Sequence, residues 1–166
     1  KVKYYEYVLE VDENVFNYLT DTETPQGVLA VLEKEQNTIS NLLNSISKNE
    51  RIVVLDKVSD AGNMGTIIRT AASFDVKNII CIKGTVDVFS SKTIRSAMGA
   101  IYKVNIYYLD YIELEKLKKE LNTHNYILVA TDLKAKKYLN EIKPNKNMVY
   151  VLGNESQGVS DEMKDM

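Results

Sequence analysis

With 166 residues, 45% of them apolar, the chain suits one domain with a sizeable core and a short flanking piece. A formal net charge of −2, from 21 Lys and Arg against 23 Asp and Glu, argues against a protein that grips nucleic acid with its whole surface. It leaves room for a local basic patch. One cysteine excludes an internal disulfide framework, one histidine and one cysteine make no zinc constellation, and no apolar run is long enough to span a bilayer. The N-terminus is tyrosine-rich and charged, unlike a secretory signal, and the expected location is the cytoplasm.

In chain order, residues 11–19 predict a short helix, 24–27 a turn, and 28–32 a strand; 37–47 are polar and read as a helix or a linker. Beyond residue 50, apolar runs alternate with helical spacing. Runs at 52–55, 79–82, 104–109, 126–130 and 148–152 predict strands, and 67–74, 90–98 and 111–121 predict helices between them. Continuous apolar runs suit strands buried on both faces, so the fold class is α/β with a parallel sheet and crossover helices. Cys81, inside the run Ile79-Ile80-Cys81-Ile82, reads as a buried core thiol. Residues 1–47 form one expected unit and 48–166 another.

Two segments carry the chemistry. In the first, a strand leads through Asp60, Gly62, Asn63 and Gly65 into a helix. The expectation is a glycine loop whose helix start offers amides to an anion. Thr66, Arg69, Thr70 and Ser73 follow at i, i+3, i+4 and i+7, a polar stripe that read alone is a solvated face first and a phosphate site second. In the second, a buried strand ends in Leu152, Gly153, Asn154, Glu155 and Gly158, where open α/β sheets bind ligands. This is neither a Walker A nor a G-x-G-x-x-G sequence; read alone, it is equally a connecting turn.

Together these segments resemble the SpoU (TrmH-like) RNA methyltransferases of the SPOUT superfamily. Asn63, Gly65, Thr66, Arg69, Thr70 and Ala71 match the first family signature, and Leu152, Gly153, Asn154, Glu155 and Gly158 the second. Between them, residues 89–100 are similar to the family's intervening segment, and Ala130-Thr131-Asp132 to a loop that borders the cofactor. The likeness covers about residues 50–166, and 1–32 resemble the tail of a substrate-binding domain that many members carry in front. The resemblance implies an α/β trefoil knot, an obligate homodimer, S-adenosylmethionine as methyl donor without a metal, and methylation of a ribose 2′-oxygen. Ribosomal RNA is favoured over transfer RNA. The third signature is expected beyond Met166, so the chain is expected to be cut at both ends and to lack the knot-forming segment.

By the same resemblance Asn63, Arg69 and Glu155 are catalytic. Thr131, Leu152, Gly153, Asn154 and Gly158 bind the cofactor, with Gly153 exposing its backbone where a Cβ would obstruct the ligand. A guanidinium is not deprotonated in proteins, so Arg69 is expected to hold phosphate and stabilise charge rather than act as a base. Glu155 is expected to position Arg69 or Asn63, or to accept the proton. Arg95 is expected to touch RNA, with Ser90 or Ser91 before it capping a helix. His124 reads as a surface or capping residue, and Lys134, Lys136 and Lys137 as solvated surface with a second reading as RNA contacts. Rival readings are a transfer RNA methyltransferase, a non-catalytic RNA-binding relative, and an unrelated nucleotide-binding domain. The last lacks the glycine-rich loop and following acid it needs.

Overall fold

The computed structural model describes residues 7–34, 37–46, 50–143 and 147–166. Contacts divide the chain into residues 1–35 and 36–166. The expected boundary at 47–48 lies outside the described residues. In the first unit, α1 (Glu13–Leu19) starts where Asp12 accepts the amides of Asn14 and Val15 at 2.8 and 3.1 Å. The strand expected at 28–32 is not there. Val28, Val31 and Leu32 are exposed, no strand partner lies beside them among the described residues, and an unpaired extended segment is not a sheet.

The second unit begins with α2 (Ile39–Ile46), which settles the helix-or-linker alternative in favour of a helix. Thr38 and Asn41 exchange side chain and backbone hydrogen bonds across its first turn, and Leu42 and Ile46, four residues apart, are fully buried. Then follow β1 (Ile52–Asp56), α3 (Ala61–Ser73), β2 (Asn78–Ile82), α4 (Ser91–Ala97), β3 (Asn105–Leu109), α5 (Tyr111–Thr123), β4 (Ile127–Ala130), β5 (Met148–Gly153) and α6 (Asp161–Lys164). The strands form one sheet in the order β3-β2-β1-β5-β4, every pairing parallel. This is the α/β parallel architecture read from the runs.

β1 and β2 are buried at every position, as their unalternating β-branched sequences require. One face of the sheet packs on α2, α5 and α6 through Ile52, Val54, Ile80, Leu114, Leu117 and Met163. The other packs on α3 and α4 through Val53, Leu55, Ile79, Met64, Ile68 and Ala97. Burying Leu114, Leu117 and Leu121 on one stripe of α5 stabilises the docked helix by about 1.5–3 kcal/mol per side chain. Cys81 is fully buried, and that burial pushes its thiol up to about 12, so it stays protonated and inert. Asn78, fully buried at the start of β2, donates a hydrogen bond to the Glu50 carboxylate at 2.8 Å and accepts one from Asn105 at 3.3 Å, a polar network at the amino ends of the strands. The carboxyl ends of β1, β5 and β4 are left for chemistry.

Candidate active site

At the end of β1, Asp60 caps α3 by accepting the amide of Asn63 at 2.7 Å. The helix thus begins at Ala61, and Gly62, Asn63 and Gly65 lie in its first turns rather than in the expected loop. Gly65 is glycine because α4 crosses there: a Cβ would come within 2.4 Å of the Ser96 Cβ and Oγ. Ser96 Oγ also donates to Gly62 O at 3.2 Å. The protein's own carboxylates take three of the amides around this helix start, those of Ser59, Asp60 and Asn63.

Glu155 does this from the loop after β5. One of its oxygens accepts Ser59 N at 3.1 Å and Ser59 Oγ at 2.8 Å; the other accepts Asp60 N at 3.1 Å and Asn63 Nδ2 at 3.1 Å. Burial pushes the carboxyl up, and hydrogen bonds from Asn63, its own amide and Ser59 outweigh that, holding it at about 2. Glu155 is therefore an ionised clamp between two loops and a weak base. It meets Asn63; the contacts of Arg69 run elsewhere. Since a carboxylate only accepts, Asn63 turns its nitrogen to Glu155 and its amide oxygen the other way.

Arg69 lies two turns along the helix and leans back, as long helical side chains do. Its Nη2 donates to Thr66 Oγ1 at 3.3 Å and its Nη1 to Met98 Sδ at 3.1 Å. The rest of the expected stripe turns inward on the helix: Thr70 Oγ1 donates to Thr66 O and Ser73 Oγ to Arg69 O, at 2.9 and 2.8 Å. Arg95 stands exposed in the last turn of α4, which Ser90 caps.

The loop after β5 is shaped by its own hydrogen bonds. Asn154 donates to Lys57 O at 2.8 Å, accepts Ser156 N and Gln157 N at 3.0 and 3.1 Å, and pairs through its backbone with Gly158 in both directions. Asn154 thereby holds the loop closed. A Cβ at Gly153 would lie 2.2–2.4 Å from the backbone of Gly158 and Val159, so the obstruction expected against a ligand arises against the chain itself. Thr131 N donates to Val151 O at 3.1 Å, which brings the end of β4 beside Leu152 and Gly153. Gly158, at φ +73°, faces open space. Asp132 next to Thr131 is held by Lys164 at 2.9 Å.

Residues outside the expected set complete the site. Asp56, buried at the end of β1, accepts Tyr111 Oη at 3.2 Å and Ser160 N at 2.6 Å, joining β1, α5 and the start of α6. The only signal for it was a carboxylate closing an apolar run. Ser59 carried no signal, and Met98 was only one unsingled residue of the family-like segment 89–100. His124 ends α5 with its Nε2 3.2 Å from Glu120, and Lys134, Lys136 and Lys137 are exposed. Among the described residues no group of His, Cys, Asp or Glu could hold a metal ion, and no helix is long and apolar enough to cross a membrane.

Residues 50–166, which contain every residue of this site, match the SpoU rRNA Methylase family. The chain belongs to that family. It is 29% identical over 149 residues, 90% of its length, to the 23S rRNA (guanosine(2553)-2′-O)-methyltransferase RlmP of Bacillus subtilis, of which it covers 56%. It is also 29% identical over 136 residues, 81% of the chain, to the 23S rRNA (guanosine-2′-O-)-methyltransferase RlmB of Bordetella pertussis, of which it covers 55%. The AdoMet-bound rRNA methyltransferase of Sinorhizobium meliloti superposes with a TM-score of 0.81 at 31% identity, over 94% of this chain and 58% of that one. The chain thus spans about half the length of these SpoU relatives.

Proposed function

We propose that the protein transfers a methyl group from S-adenosylmethionine to a ribose 2′-oxygen of RNA, ribosomal RNA ahead of transfer RNA. The observation that carries this reading is the clamp by which Glu155 fixes Asn63 at the joint ends of β1 and β5, with Arg69 farther along the same helix, in a chain of the SpoU family. The names of the relatives support the substrate class, and two of them act on 23S rRNA.

The ends of β4 and β5 fit the donor. Thr131, Leu152 and Gly153 adjoin there, and the space beside Gly158 is open. These residues would hold S-adenosylmethionine, which supplies a methyl group already activated on a sulfonium. The chain's own task is alignment and charge. Asn63 presents its amide oxygen to the ribose hydroxyl, which sets the direction of attack. Arg69 holds a neighbouring phosphate and stabilises negative charge on the oxygen as its proton passes to solvent water and the methyl group is taken up, leaving the donor's sulfur as a neutral thioether. Glu155 positions Asn63. Arg95, exposed on α4, adds a second phosphate contact.

The protein works as a cytoplasmic homodimer in this reading, and residues 1–35 belong to a preceding RNA-binding domain, whereas α2 packs into the core of the sheet unit. Exposed Phe74 and Tyr102, 70% and 75% accessible, support a partner surface near α3. Mapping 2′-O-methylation across the RNA of cells lacking the gene tests the function. One or more lost ribose methyl groups, restored by the wild-type gene but not by the Arg69→Ala variant, is the expected result; an unchanged map refutes it.

A further inference from the structure

Resting on the reading of Arg69 above, we propose that Met98 is a positioning residue for that arginine: its thioether holds the guanidinium in the orientation from which it meets RNA. Met98 ends α4 at φ +48°, ψ 44°, in the left-handed region, and Gly99 follows at φ +78°. An L-residue with a Cβ is disfavoured there and glycine is at home. The side chain also returns little to the fold, since Met98 is 75% exposed. A strained, exposed methionine asks for a use outside the core.

The crossing of α3 and α4 supplies one. Gly65 lets the Ser96 side chain press against α3, and Ser96 Oγ is tied to Gly62 O at 3.2 Å. Two residues after Ser96, the left-handed turn carries Met98 over α3, where its sulfur accepts from Arg69 Nη1 at 3.1 Å. Thr66 Oγ1 takes the other terminal nitrogen at 3.3 Å. Two anchors on two nitrogens set the plane of the guanidinium. Thr66 shares the helix of Arg69; Met98 is the anchor that comes from outside it. Sulfur suits the position because it is a weak, polarizable acceptor: it orients the cation without neutralising it, as a carboxylate would.

The test compares Met98→Gly, Met98→Leu, Met98→Gln and Arg69→Ala in the full-length protein, with methyl transfer to its RNA, S-adenosylmethionine KM and thermal unfolding as readouts. Met98→Gly relieves the backbone and removes the acceptor. It should lower kcat about tenfold, with the cofactor KM and the unfolding temperature unchanged or the latter raised. Met98→Leu keeps the bulk without an acceptor and should lose as much. Met98→Gln restores an acceptor and should recover most of the rate. Wild-type kcat in the glycine and leucine variants, while Arg69→Ala is inactive, overturns the proposal alone. A fall in unfolding temperature that accompanies the loss of rate makes Met98 structural and also overturns it. Full activity of Arg69→Ala overturns the catalytic reading of Arg69, and this proposal with it.

Discussion

Replacing Glu155 by glutamine probes the joint between the two signature loops. The carboxyl sits at about 2 against an ordinary 4.5. At about 1.4 kcal/mol per tenfold, that gap corresponds to about 3 kcal/mol, and solvent screening of so exposed a carboxylate reduces it to about 1–2 kcal/mol. Glutamine offers one acceptor oxygen and an NH2 that opposes the donors on Ser59, Asp60 or Asn63. The folded carboxyl is depressed, so its contribution is complete above about pH 4.5 and is lost as pH falls toward 2. At pH 7 the variant should unfold about 3–6 °C lower, and the difference should shrink between pH 4.5 and 2. Because Asn63 loses its anchor, kcat should fall about 10–100-fold with little change in S-adenosylmethionine affinity. Calorimetric unfolding across pH, with an NMR titration of the Glu155 carboxyl in the parent, checks each part. A measured carboxyl pKa near 4.5, or equal unfolding at pH 7, would refute the reasoning.

Arg69→Ala should abolish methylation while leaving S-adenosylmethionine affinity within about twofold by calorimetry, since its contacts run to Thr66 and Met98 and not to the β5 loop. Gly153→Val should destabilise the protein by about 1–3 kcal/mol and weaken cofactor binding together, because the new side chain meets the backbone of Gly158 and Val159; urea unfolding and titration calorimetry measure the two. Gly65→Ala should cost about 1–3 kcal/mol in the same unfolding assay by forcing Ser96 away, and should lower kcat by moving Met98 off Arg69.

Local pattern carried the strands and most of the helices. Ile52 to Leu55 and Ile79 to Ile82 could only be doubly buried strands once helical spacing separated them, and Leu114, Leu117 and Leu121 mark the inner stripe of α5. The failure at residues 28–32 has the same origin. β-propensity describes a segment, whereas a strand needs a neighbour, and Val28 and Val31 have none among the described residues. The site was legible as a set of residues through the family's two signatures, Asn63 to Ala71 and Leu152 to Gly158, but not as a set of contacts.

By itself, then, the sequence determined the fold class, the family and the short roster of Asn63, Arg69 and Glu155, because periodicity and motif are properties of neighbours along the chain. Who touches whom was decided only in three dimensions. Asn63 and Glu155 are 92 positions apart and meet because β1 and β5 pair in parallel and end together. Glycines 65 and 153 both read as room for a ligand. Tertiary packing shows that one makes room for Ser96 and the other for Gly158 and Val159, since a glycine states only that a Cβ is missing and not what stands in its place. Met98 lay inside the family-like segment 89–100 without being singled out. Its meaning lies in a left-handed turn and a helix crossing, and neither exists until α3 and α4 have packed on the sheet.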